Sequence, residues 1–266
     1  MNPAGLAEVL ATFGPAYLSN HTLPRGAAKV WRAILTCRTA ALGGHVESCA
    51  DCGASRHVYH SCRNRHCPRC QTRAKETWLA ARRRETLPVP YFHLVFTLPH
   101  TLNGLIGAAP RRLYENLFAA ASATLTEFAG SPRHLGGVPA FSLVLHTWKQ
   151  DLGRHVHVHA LVAGGALSDT GEWISPKKGF LFPVRALSKV FRGKFITGLD
   201  GLRRQGHLPD FLDLPAWQSL KHSLHAHDWV VYAKQPLGGP EAVLEYLGRY
   251  THRVATSHER IIGITN

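Results

Sequence analysis

The spacing of apolar positions changes along this chain, and each change predicts an element. Leu6, Val9, Leu10 and Phe13, then Val30, Ile34 and Leu35, recur at helical intervals and predict two short helices within residues 1–44. Residues 45–70 break the pattern: aliphatic side chains thin out, so a module here must be held by something other than a hydrophobic core. QTRAKETWLAARRRETL (71–87) is rich in helix formers and stops before Pro88 and Pro90. YFHLVFTLP (91–99) reads as a buried strand between prolines, and RRLYENLFAAASATLTEFAG (111–130) as an amphipathic helix closed by Gly130. AFSLVLHTW (140–148) and HVHVHALVA (155–163) are strand-like, and the six residues between them, Gly153 included, predict an antiparallel hairpin. A helix over 184–205, a strand over 228–236 and a helix over 239–253 complete the series. From residue 91 onward, strands and helices mix around a central hairpin. The expected class is therefore α+β, with a central antiparallel sheet flanked by helices.

Charge narrows the partner. The 266 residues hold 31 Lys and Arg against 17 Asp and Glu, a formal net charge of +14. Such an excess favours a polyanion, and nucleic acid is the expected one. The first residues carry no basic segment followed by an apolar core, and no run of 18 apolar residues occurs, so neither a signal peptide nor a transmembrane helix is expected. The expected location is the cytoplasm, where clustered thiols serve as metal ligands rather than disulfides.

Five of the six cysteines fall in the segment poor in aliphatics. Cys49-Ala-Asp-Cys52 and Cys67-Pro-Arg-Cys70 are two CxxC pairs with 14 residues between them, a spacing that suits one tetrahedral zinc ion. A second zinc site on Cys62, His66 and His45 is left open. Cys37 lies in a helical pattern and reads as a small buried hydrophobe. Arg63, Arg65, Arg69, Arg73, Arg82 and Arg83 crowd the end of the module and the helix after it, and between residues 63 and 83 they meet one acid, Glu76. A zinc knuckle leading into a basic helix reads as a DNA-binding head.

The catalytic chemistry is expected further on. Strand side chains alternate, so His155, His157 and His159 share one face of their strand. Two imidazoles at i and i+2 can share a divalent ion, and a further ligand is needed. Gln150 and His146, both from the preceding strand region, are the candidates. An amide there would suit Mg²⁺ or Mn²⁺, while three histidines together would suit zinc. In EYLGRYTHRVA (245–255), Tyr246 and Tyr250 stand four apart, on one face of a helix, beside Arg249 and Arg253. A phenol among arginines, facing a metal-bound phosphate, suits nucleophilic attack on DNA. The product would be a 5′-phosphotyrosine link and a free 3′-OH.

Four stretches together, the CxxC pair with SCRNRHCPRCQ, YFHLVFTLPH, LHTWKQDLGRHVHVHALVAGGAL and YLGRYTHRVA, resemble the rolling-circle transposases of the IS-ninety-one group, within the HUH endonuclease superfamily. The resemblance implies a helical and zinc-binding domain over 1–87, followed by an HUH-type catalytic domain over 88–266, shortened at its C-terminal end. It implies nicking and joining of single-stranded DNA at insertion-sequence ends. It assigns the catalytic Mg²⁺ or Mn²⁺ to His157 and His159, sets His155 apart, matches Gln150 to a third ligand and makes Tyr246 and Tyr250 the nucleophiles. Val156 stands where the family often has proline, and RVATSHERI departs from the family's usual RVAISNHRI. Two alternatives stay open: an inactive, zinc-dependent DNA-binding remnant, and a zinc hydrolase using His155, His157 and His159. The sequence does not specify the oligomeric state.

Overall fold

The computed structural model describes residues 5–149, 153–176, 181–210, 212–234, 241–242, 244–245, 248 and 261–264. The described chain divides into two compact units, one within Met1–Arg82 and Gly248–Asn266, the other within Arg83–Leu247. The sequence boundary at 87/88 lies close to the first division, but the sequence expectation kept residues 248–266 in the second unit.

In the first unit, α1 (Leu6–Asn20) and α2 (Arg25–Thr36) are the two expected helices. They pack through Gly14, where an added Cβ would lie 2.8 Å from the Trp31 ring, and through the Tyr17 and Trp31 rings, 6.1 Å apart. A hairpin follows, β1 (Gly44–Ser48) paired antiparallel with β2 (Ser55–Tyr59), running from Gly44↔Tyr59 to Ser48↔Ser55. Its tip is the Cys49–Ala54 turn, with the Cys49 N–H donating to the Ala54 carbonyl and Gly53 taking φ +70°, a left-handed value that glycine adopts cheaply. The hairpin is almost wholly exposed. The buried cluster in this unit is small: Ile34, Cys37 and Cys67, with Leu6, Leu10, Val30, Cys62 and Cys70 against it. α3 (Pro68–Glu85) then begins on a proline whose missing N–H costs the helix nothing there.

The second unit is built on a sheet of order β4-β5-β3-β7, with β6 beside β5. In chain order it contains β3 (Tyr91–Thr97), α4 (Asn103–Ala108), α5 (Pro110–Gly130), β4 (Val138–Trp148), β5 (Arg154–Leu167), β6 (Trp173–Ile174), α6 (Val184–Arg204), α7 (Leu214–Ala226) and β7 (Val231–Lys234). Every strand pairing is antiparallel, and β4–β5 is the hairpin expected from the sequence. The α+β class with a central antiparallel sheet flanked by helices holds. The expected 239–253 helix is represented by residues 241, 242, 244, 245 and 248, which are helical.

Register explains how the faces are used. Phe92, Leu94 and Phe96 of β3 stand opposite Val162, Ala160 and Val158 of β5, so all six share one face. That face joins one core with Leu113, Leu117 and Leu125 of α5 and Leu187, Phe191 and Phe195 of α6. Phe96 meets Phe191 edge-on, with centroids 5.0 Å apart. The other face carries His157 and His159, flanked by Thr97 and Val95 of β3 and by His146 and Val144 of β4. A register shift between His146 and Trp148 puts a bulge at the end of β4, next to that histidine.

Candidate metal centres

The first centre is a group of four thiols. Cys37 ends α2, Cys62 follows β2, and Cys67 and Cys70 flank the start of α3. Their sulfurs all lie within 4.8 Å of one another, and Cys70 is 3.6 Å from both Cys37 and Cys62. Four sulfurs about 2.3 Å from a central zinc ion would stand about 3.8 Å apart, so the group has the dimensions of a tetrahedral site. Backbone N–H groups of Asn64, Cys70 and Arg63 donate to the sulfurs of Cys62, Cys67 and Cys70 respectively. Burial pushes the Cys62 thiol up to about 11 and raises Cys67 as well. A divalent cation at the centre opposes that penalty by holding the thiolates directly.

This is not the expected foursome. Cys67 and Cys70 come together with Cys37 and Cys62, whereas Cys49 and Cys52 are exposed at the tip of the β1–β2 hairpin. The reason is length. Strands of five residues carry the tip about 15 Å from the hairpin's base, and Cys62 lies just beyond that base. At the tip, N–H groups of Cys52 and Asp51 point at the Cys49 sulfur and hold its pKa below the usual thiol value. The open second set does not assemble among the described residues either: Cys62 is in the four-thiol group, His45 approaches Glu47 at 3.4 Å, and His66 lies 3.4 Å from Arg65 Nε. Cys37, read from sequence as a small hydrophobe, is the thiol that completes the group. The available signal is Cys62, Cys67 and Cys70 within nine residues, already three thiols and short of one.

The second centre is on the sheet. His146, His157 and His159 are all buried, with ring nitrogens within 4.8 Å of one another. His146 Nδ1 is 3.0 Å from His157 Nε2, which is 3.1 Å from His159 Nε2. A carbonyl at the outer nitrogen fixes the His157 tautomer, and His159 is held by a second histidine. His157 Nδ1 donates to the His155 carbonyl at 2.9 Å, and His159 Nδ1 stands 2.8 Å from Nε2 of buried His93. With Nδ1 of His157 carrying the proton, its Nε2 presents a lone pair toward His146 and His159. Ring nitrogens of three buried histidines converging at this spacing are the fit of this site to a metal. Burial, then the neighbouring histidines, lower His159 to about 3; burial, then Lys234, lower His93 to about 4. Both rings are therefore neutral, the form that ligates metal.

His155 stands outside the triad, facing His100 at 3.4 Å. Gln150, Tyr246, Tyr250, Arg249 and Arg253 lie outside the described residues. Among the expected DNA-binding arginines, Arg63, Arg65, Arg69 and Arg73 are exposed, while Arg82 is half-buried. Arg69 donates to the Cys37 carbonyl at 3.1 Å, and Arg83 lies 3.7 Å from Glu245. Among the described residues, no helix is long and apolar enough to cross a membrane.

Residues 9–98 match the family model described as a transposase zinc-binding domain, and residues 140–266 one described as a putative transposase. The chain is 46% identical over 267 residues to the putative transposase y4qJ of Sinorhizobium fredii, covering 97% of this chain and 67% of that protein. It is 29% identical over 240 residues to the transposase for insertion sequence element IS801 of Pseudomonas savastanoi pv. phaseolicola, covering 88% of this chain and 57% of the relative. A conjugative relaxase, TrwC, solved in complex with oriT DNA, superposes with a TM-score of 0.33 at 12% identity, over 61% of this chain and 71% of its own. The two family matches and the 46% relative, which agree with the motifs along the chain, place it among the IS-ninety-one-like transposases.

Proposed function

We propose that this chain nicks and rejoins single-stranded DNA at insertion-sequence ends, through a tyrosine–DNA intermediate, in the bacterial cytoplasm. The observation that carries the reading is the buried triad His146, His157 and His159, whose nitrogens converge on one point beside the bulge of β4. A Mg²⁺ or Mn²⁺ ion held there supplies Lewis-acid stabilisation of charge on the scissile phosphate. In this reading His146 fills the place that the sequence offered to Gln150. A set of imidazole nitrogens favours Mn²⁺ over Mg²⁺, which prefers oxygen ligands.

The chain's own groups do the rest. Tyr246 or Tyr250 attacks phosphorus, so that its O–P bond forms as the P–O3′ bond breaks. The phenolic proton ends on the released 3′-OH. Arg249 and Arg253 hold the phosphate against the phenol. The bond energy stays in the protein–DNA link, so rejoining needs no nucleotide. The four thiols hold a structural zinc ion that keeps the basic first unit folded for DNA.

The test is a labelled single-stranded oligonucleotide carrying an insertion-sequence end, incubated with Mn²⁺ or Mg²⁺. A covalent adduct that survives denaturation is expected. It should vanish in the double variant Tyr246→Phe/Tyr250→Phe. Intact protein that binds the oligonucleotide but forms no adduct would favour a DNA-binding remnant, and hydrolysis surviving loss of both tyrosines would favour a metal hydrolase.

A further inference from the structure

Among the described residues, the non-glycine positions with positive φ are Arg38 at 57° and Arg63 at 51°. Each directly follows a cysteine of the four-thiol group, Cys37 or Cys62. The cluster's own connections set these turns. The Arg38 N–H donates to the His60 carbonyl at 3.0 Å, and the Arg63 N–H donates to the Cys70 sulfur. Such turns call for a left-handed residue, and glycine or asparagine fills that conformation with least strain. Arginine in both places indicates that the side chain, not the backbone, decides the residue.

Both side chains open onto one cleft. Arg38 and Arg63 line it with Arg73 of α3, Ser61, Gln71 and Thr77, around about 440 Å³. Among the described residues, no acidic side chain lines it. Three guanidinium groups with hydroxyl and amide donors form a receptor for phosphate oxygens. The cleft also sorts the basic residues by use. Arg69 donates to the Cys37 carbonyl and Arg83 lies beside Glu245, so charge along the segment does not itself mark the contact points.

We infer that Arg38, Arg63 and Arg73 form a subsite for the sugar-phosphate backbone of DNA, anchored directly to the thiol cluster. The inference rests on the reading of DNA as this chain's partner. The cluster sets the two turns, and the turns aim the two arginines. A competing role exists for the same residues. Four thiolates and one zinc ion carry two net negative charges, and nearby arginines would offset them.

The two roles predict opposite results for the variants Arg38→Gly and Arg63→Gly, made in the full chain. Glycine suits the left-handed turn, so if the arginines serve DNA, zinc content is kept and Tm is unchanged or higher. Binding to a fluorescent single-stranded oligonucleotide should nevertheless weaken severalfold. The slope of log affinity against log salt should fall by about 0.7 for each arginine removed. Arg73→Ala, on a helix, should do the same without touching a turn. Arg56→Ala, on the hairpin and paired with Glu47 at 2.6 Å, is the control expected to bind like wild type. Unchanged affinity and slope in all three cleft variants would overturn the subsite. So would loss of zinc in step with loss of binding. Wild-type protein that binds no oligonucleotide would overturn the DNA reading itself, and the subsite with it.

Discussion

The two candidate metal centres are built in opposite ways. The four thiols come from a helix end, a strand exit and the start of α3, and hardly any apolar surface is buried around them. The three histidines sit on the adjacent strands β4 and β5, with their backbones paired on the sheet and a large apolar core behind it. In the first case a metal would hold the fold, and in the second the fold would hold a metal. Structural zinc can contribute about 10–16 kcal/mol to such a small module, more than its buried side chains could supply. The sheet needs no such help, so an ion bound there would be available for chemistry.

The sharpest way to break the comparison is Cys67→Ser. It is expected to abolish zinc binding and to open residues N-terminal to position 83 to protease, with the sheet unit still folded. Cys49→Ser, the same substitution at the exposed hairpin tip, should leave zinc content unchanged. Equal zinc loss in the two variants would return the hairpin cysteines to the site. Metal titrations, with protease mapping, read both.

A smaller effect tests whether the sheet imposes its geometry. His93 would act on a metal held there through its contact with His159, as a positioning residue. His93→Phe keeps an aromatic ring and loses the hydrogen-bonding nitrogen, and should weaken Mn²⁺ binding about 10–100-fold. His93→Gln, which restores a hydrogen-bonding group, should recover part of it. Calorimetric titration of wild type and both variants distinguishes this from a packing effect, which would lower Tm in step with affinity.

The smallest effect concerns the fold alone. Asp213 caps α7, its carboxylate accepting the Ala216 N–H at 2.8 Å. Asp213→Ala should cost about 1 kcal/mol and lower Tm by a few degrees. Neither zinc nor Mn²⁺ binding should change.

Parts of this were legible because they are periodic. The hairpin and the shared face of His157 and His159 follow from alternation, which a strand obeys whatever it packs against. His146 was visible as an alternative on the preceding strand, and the register His146↔His157 then set it directly opposite. The thiol grouping was not legible, because CxxC spacing says that two thiols are close but not which pair meets which. The β1–β2 hairpin decided that, and its strands have no apolar face to announce them. Helix α7 is faint in the sequence although Asp213 and Pro215 spell an N-cap and a helix start, since its apolar spacing is weak. α4 is a short helix of six residues, below the length at which a period shows.

The exposed hairpin also bears on how this part of the chain can change. Residues 38–61 form a loop whose ends are tied where Cys37 meets Cys62, and the His60 contacts with Arg38 and Gly43 tie its base. Closing a loop costs entropy that grows only with the logarithm of its length, about 0.6 kcal/mol for each doubling. The excursion between the two cysteines can therefore lengthen or shorten with little cost to stability. Residue 62 onward has no such freedom, since Cys62, Cys67 and Cys70 must reach one ion within nine residues.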